Sequence, residues 1–139
     1  MKGYKYLLVV LSAVILVCLT ACGKENTNVV YFQNGMGEVV DGFYISLPAE
    51  ESWGDRLNTA SIDPDGKISL DAECLTEGAG AQYDIGCITS SGFVCEVYEV
   101  ELNVGDTIAL SASGEEGKCV VTPKEGEARE YTGYAYQKD

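Results

Sequence analysis

Ala81-Gln82-Tyr83-Asp84-Ile85-Gly86-Cys87-Ile88-Thr89, then Ser90-Ser91-Gly92, then Phe93-Val94-Cys95-Glu96-Val97-Tyr98-Glu99-Val100-Glu101-Leu102, reads as two strands and the turn that joins them. A three-residue hairpin loop favours glycine in its last place, where φ is positive. That turn predicts a register with Thr89 opposite Phe93 and Cys87 opposite Cys95. Side chains alternate along a strand, so Tyr83, Ile85 and Cys87 share a face with Phe93, Cys95 and Val97. Beyond Val97 the apolar phase slips to Val100 and Leu102. One extra residue restores it, which predicts a bulge near Tyr98-Glu99.

Working outward, the same grammar recurs. Asn28 to Phe32 is a first strand, and Asn34-Gly35-Met36-Gly37 is a turn, because Asn and Gly accept positive φ. Val39 to Leu47 is a second strand, rich in β-branched and aromatic residues, with Phe43, Ile45 and Leu47 on one face. Pro48 ends it, lacking an N–H for the ladder. Asp63-Pro64-Asp65-Gly66 turns the chain into Lys67 to Leu70. Asn103-Val104-Gly105-Asp106 leads into Thr107 to Ser111, and Gly114-Glu115-Glu116-Gly117 leads into Lys118 to Thr122. Glu130 to Tyr136 closes the series as a last edge strand, with Tyr131, Tyr134 and Tyr136 available for packing. Short strands between turn signals predict an all-β fold, an antiparallel β-sandwich of about seven strands, immunoglobulin-like in general architecture.

The first residues follow a different grammar. Lys2 and Lys5 precede Leu7 to Leu19, which is almost wholly apolar, and small residues follow. This is the order of a secretory signal helix. The run is shorter than the roughly 20 residues of a membrane span. Leu19-Thr20-Ala21-Cys22 resembles the bacterial lipobox. The resemblance implies cleavage between Ala21 and Cys22, and a diacylglycerol on the Cys22 sulfur. Two acyl chains anchor a protein stably where one does not. The expected organisation is a signal peptide at 1–21, a lipid-attached cysteine and short tether at 22–28, and a β-sandwich domain at 29–139. At ~3.3 Å per residue such a tether holds the domain within about 20 Å of the membrane.

Composition narrows the chemistry. The chain has a formal net charge of −13, and removal of residues 1–21 leaves seven basic against 22 acidic residues, a charge of −15. That charge repels nucleic acid and favours cationic partners. The chain contains no histidine, which excludes Ser-His-Asp and Cys-His nucleophilic sites and imidazole zinc sites. Cys74, Cys87, Cys95 and Cys119 remain after the signal and the lipid take Cys18 and Cys22. None forms a Cys-x-x-Cys pair, so a zinc or redox motif is not indicated. In an exported domain four cysteines predict two disulfides. The hairpin register pairs Cys87 with Cys95 and leaves Cys74 for Cys119.

Phe43-Tyr44-Ile45-Ser46-Leu47-Pro48, Ser52-Trp53-Gly54-Asp55, Tyr83-Asp84-Ile85 and Cys95-Glu96-Val97-Tyr98 together resemble a group of small exported bacterial domains with a Trp-Gly loop and a Tyr-Asp-Ile hairpin. The resemblance implies a β-sandwich and no activity. The group often has acidic residues before the hairpin glycine; here the turn is Thr89-Ser90-Ser91-Gly92, so no cation is implied there.

Among candidate site residues, Trp53 stands on a loop. Its size favours a plug at one end of the sandwich, and its flat face with an N–H donor suits a ligand contact. Asp63-x-Asp65-Gly66 lacks the remaining ligands of a calcium loop and reads as a turn. Glu50-Glu51 and Glu115-Glu116 are sequence neighbours on loops, unlike the opposed carboxylates of a glycosidase. Ser52 and Ser91 have no histidine to activate them. No catalytic residue, metal or cofactor is indicated. The expected protein is an exported lipoprotein on the outer side of the cytoplasmic membrane, or in the periplasm or outer membrane where the host has one. It acts as a non-catalytic binding or structural module for an envelope protein or glycan. The alternative is a small envelope enzyme or inhibitor with a loop-carboxylate site. An exposed aromatic patch would favour the first and two convergent carboxylates the second.

Overall fold

The computed structural model describes residues 28–139. The signal helix, Ala21, Cys22 and the tether up to residue 27 lie outside the described residues. Among the described residues eight strands form one sheet: β1 (Val29–Asn34), β2 (Val40–Ser46), β3 (Lys67–Asp71), β4 (Gln82–Thr89), β5 (Phe93–Glu101), β6 (Thr107–Ser113), β7 (Glu116–Thr122) and β8 (Arg129–Gln137). Their spatial order is β2-β4-β5-β8-β7-β6-β1-β3. The all-β class expected from the turn grammar is present.

Two features depart from the expected sandwich. The strands run as one curled sheet rather than two, and they are not all antiparallel: β1 pairs parallel with β6, Tyr31 to Thr107 and Phe32 to Ile108. Turn signals report only the neighbours that a short loop joins. β1 has β3 and β6 as neighbours, both distant in sequence, so no turn could announce its direction.

The curl is visible in one contact. β2 ends the sheet and β1 lies second from the other end, yet Phe32 and Phe43 stack with centroids 4.0 Å apart. Both rings are fully buried, together with Val30, Ile85, Val97, Val100, Ile108, Leu110 and Val121. The concave side of the sheet is therefore the core, and stacking adds about 1 kcal/mol to the burial of such a pair.

Glycines make the crease. Gly117 and Gly133 face each other across the β7–β8 ladder. A Cβ on Gly133 would overlap the Glu96 carbonyl oxygen, and one on Gly117 would meet the Cys95 sulfur at 2.9 Å. Only residues without side chains let β5 lie so close over β8 and β7. This places β8 between β5 and β7, not at an edge as its polar sequence suggested.

The hairpin register is as the sequence predicts, except that Phe93, expected on the core face, is half-buried and outside the core cluster. Gly92 has φ 86° and donates its N–H to the Thr89 carbonyl at 2.9 Å; Cys87 sits opposite Cys95. The bulge falls at Tyr98-Glu99, where Tyr83 pairs with Val100 but Ile85 with Val97. Glu99 takes the left-handed φ of 56°, and its N–H is held by the Asp84 carboxylate at 3.0 Å.

Two buried asparagines tie loops to the sheet. Asn58 accepts from the Phe43 N–H at 2.9 Å and donates to the carbonyls of Asp41 and Ala60 at 3.0 and 2.9 Å. With the Val40–Ile62 bridge, this loop covers the free edge of β2, which would otherwise offer unpaired backbone to another chain. Asn34 does the same work at the end of β1, bonding to backbone of Met36, Glu38, Ile62 and Asp63.

Candidate functional site

The outer face of the β2-β4-β5-β8 half carries the candidate site. Alternation sends Ile85, Cys87, Cys95, Val97 and Ala135 inward and Tyr44, Gly86, Glu96, Tyr134 and Tyr136 outward. Gly86 leaves a gap in that outer row, and the Trp53 indole fills it. A Cβ on Gly86 would lie 3.1–3.2 Å from the Trp53 ring atoms. Trp53 is thus half-buried against the convex face and is not among the core residues, so it does not plug the core.

From Trp53 the aromatic surface continues. Its ring centroid lies 6.2 Å from that of Tyr98, and Tyr98 lies 6.2 Å from Tyr134. Tyr98, Tyr134 and Tyr136 are 41%, 64% and 44% exposed, far more than the packed tyrosine Tyr83 at 1%. The bulge puts Tyr98 on this face, a common use of bulges beside binding sites.

One carboxylate organises the rings. Tyr98 donates to Glu96 Oε2 at 2.6 Å and Tyr136 to Glu96 Oε1 at 2.7 Å. The bond to Glu96 first, then burial and the Glu96 charge, push the Tyr136 hydroxyl up to about 12. Burial first, then the Glu96 bond and the charges of Glu96 and Asp84, push Tyr98 up as well. Both phenols therefore stay protonated donors at neutral pH. A cleft of about 370 Å³ lies among Tyr44, Trp53, Gly86, Val94, Glu96 and Tyr136, with Lys138 at its rim.

Replacing Gly86 with valine is expected to drive the indole off this face, since even one Cβ there is tighter than ordinary contact. Trp53 is the only tryptophan, so its emission should shift to longer wavelength. Unchanged emission in Gly86→Val would contradict the stacked placement.

The described cysteines, Cys74, Cys87, Cys95 and Cys119, are free thiols in the structure. Cys87 and Cys95 are directly opposed in register. The hydrogen bond shared with Cys95, with burial, raises Cys87; that same bond lowers Cys95. Burial pushes Cys119 up to about 12, with the neighbouring Cys95 adding to it. Cys74 stands beside a separate cleft with Ile45, Trp53 and Tyr83. The opposition of Cys87 and Cys95 is the expected register; nothing in the structure links Cys74 to Cys119.

The acidic pairs Glu50-Glu51 and Glu115-Glu116 are exposed. Ser91 donates to Glu38 at 2.6 Å, which holds that carboxyl below its usual range. The Asp63–Gly66 turn is closed by the Gly66 N–H on the Asp63 carbonyl at 2.8 Å. Among the described residues no group of His, Cys, Asp and Glu is placed to hold a metal ion.

Of the described site residues read from the sequence, only Trp53 presents its side chain on this face. In the sequence Tyr134 and Tyr136 read as packing residues, and Glu96 and Tyr98 enter through the resemblance, Tyr98 also through the expected bulge. Parity along β8 carries the missing signal: Tyr134 and Tyr136 share one face, and Tyr131, of opposite parity, packs against the core.

Comparison with family models, with curated proteins and with solved structures returned no match.

Proposed function

We infer that this chain is a lipid-anchored, extracytoplasmic binding module that meets its partner with the Trp53–Tyr98–Tyr134–Tyr136 face. The supporting observation is that face: three tyrosines at least 41% exposed, ranged beside the only tryptophan. Exposed contiguous aromatic surface is costly to leave in water and marks interaction sites. In this reading residues 1–21 are the export signal, Cys22 carries the diacylglycerol, and residues 29–139 are displayed at the membrane. The two halves of the curled sheet serve as the layers of an immunoglobulin-like sandwich. Cys87–Cys95 and Cys74–Cys119 bridges form on export. The module contacts an envelope protein or glycan and performs no catalysis, and it uses neither cofactor nor nucleic acid.

Cys22→Ala is the test of the anchor. The unsubstituted protein should fractionate with membranes and carry acyl mass on Cys22. The variant should accumulate uncut or be released. Normal processing and membrane retention of the variant would reject the reading.

A further inference from the structure

We propose that the aromatic face binds the lysine ammonium groups of a basic polypeptide, seated over Trp53, Tyr98 and Tyr134 beside the Glu96 carboxylate. The inference rests on reading that face as a binding surface and names its partner by charge.

The rings alone would suit many ligands; their carboxylates narrow the choice. Glu96 lies among the rings and accepts from two phenols, which uses two of its roughly four lone-pair sites and leaves others open to a cation. A phenol that donates to a carboxylate becomes electron-rich, which strengthens the attraction of its face for a cation. Asp84 lies close enough to Tyr98 for its charge to act on the hydroxyl. Glu99 is exposed next to Tyr98. Against these stands Lys138 at the cleft rim. The whole chain, at −13, repeats the same bias. An ammonium over an aromatic face with a carboxylate nearby is a favourable arrangement, and tryptophan is the best of the rings. The molecule already makes one such contact elsewhere, with Lys67 Nζ 4.7 Å from the Tyr31 ring centroid.

The partner is a polymer because the face offers two hollows. One is the cleft beneath Trp53. The other lies beside it, bordered by Phe93, Glu115 and Tyr134. Glu96 and Tyr136 belong to both. Each hollow has a carboxylate at its wall, so a chain with repeated ammonium groups engages both, and linkage raises its avidity.

The test uses the full chain in non-ionic detergent, with Trp53 emission as the readout. Pentalysine is the probe and a neutral cellopentaose the comparison. Pentalysine should give a saturable change that weakens as salt rises. Tyr98→Ala and Glu96→Gln should each raise the half-saturation concentration about tenfold, in the range of a cation–aromatic contact. Lys138→Gln, which removes the competing charge, should lower it. Both altered side chains on β5 are at the surface, and matching thermal unfolding of each variant checks that it folds. A response to cellopentaose with none to pentalysine would overturn the cationic partner while keeping the binding face. A response to neither, or pentalysine binding untouched by Tyr98→Ala and Glu96→Gln, would overturn both.

Discussion

Gly133→Ala is expected to destabilise the domain by at least ~3 kcal/mol, and full loss of the folded state is within that expectation. The added Cβ would overlap the Glu96 carbonyl oxygen and press on the Val97 Cα at 2.8 Å. Both are backbone atoms, so no rotamer change relieves the contact. β5 would have to lift from β8, and the Phe93–Glu96 ladder with Gln137–Tyr134 would go with it. That ladder joins the β2-β4-β5 part of the sheet to the rest. Gly78→Ala is the matched comparison. No atom lies within 4 Å of a Cβ there, so its cost should fall within about 0.5 kcal/mol. Urea unfolding of the two variants measures the contrast. Equal stability of the two would mean that β5 does not cross β8 as closely as described.

The same crease separates what was legible in the sequence from what was not. The β4–β5 register was readable, because alternation and one turn glycine are local information, although the strands stop one residue inside the expected bounds at Ala81 and Leu102. So was the bulge at Tyr98-Glu99, since an apolar phase slip has one simple cause. The central place of β8 was not readable, because its polar sequence resembles an edge. What makes it central is the absence of side chains at Gly117 and Gly133, and an in-strand glycine does not name the chain that approaches it. The single curled sheet and the parallel β1–β6 pair were hidden for a related reason: no turn connects those strands. At the site, Trp53 stood out by residue type alone, whereas its role depends on Gly86 lying beneath it. Tyr98, Tyr134 and Tyr136 looked like packing residues, since tyrosine suits either environment. The exposure of three of them on one face emerges only once β5 and β8 are neighbours.

Asn34→Ala should cost about 3 kcal/mol, from a side chain that no apolar contact explains. Asn34 is fully buried. Its amide nitrogen lies 2.8, 3.0 and 3.1 Å from the carbonyls of Glu38, Ile62 and Asp63, and its oxygen accepts from the Met36 N–H at 2.9 Å. Three carbonyls and one N–H of two separate loops thus meet at one amide. Alanine removes that partner from all four; the Ile62 and Asp63 carbonyls keep the N–H groups of Val40 and Gly66, while the Glu38 carbonyl and the Met36 N–H lose the Asn34 amide, and each buried backbone group left unsatisfied costs on the order of 1–3 kcal/mol, reduced where water enters. The Val40–Ile62 bridge, which covers the edge of β2, sits on the same carbonyl and should loosen with it. Asn34→Asp sharpens the test because it is nearly the same size. A carboxylate has no proton to give three carbonyls, so the folded variant must keep the group neutral, and its folded pKa rises above the unfolded value of about 3.9. The folded state then binds more protons than the unfolded one, and stability falls as pH rises. Relative to the unsubstituted protein, Asn34→Asp should be least impaired below about pH 4 and progressively worse above it. Chemical unfolding of both proteins at matched pH measures the difference, and a deficit independent of pH would show that Asn34 does not donate to these carbonyls.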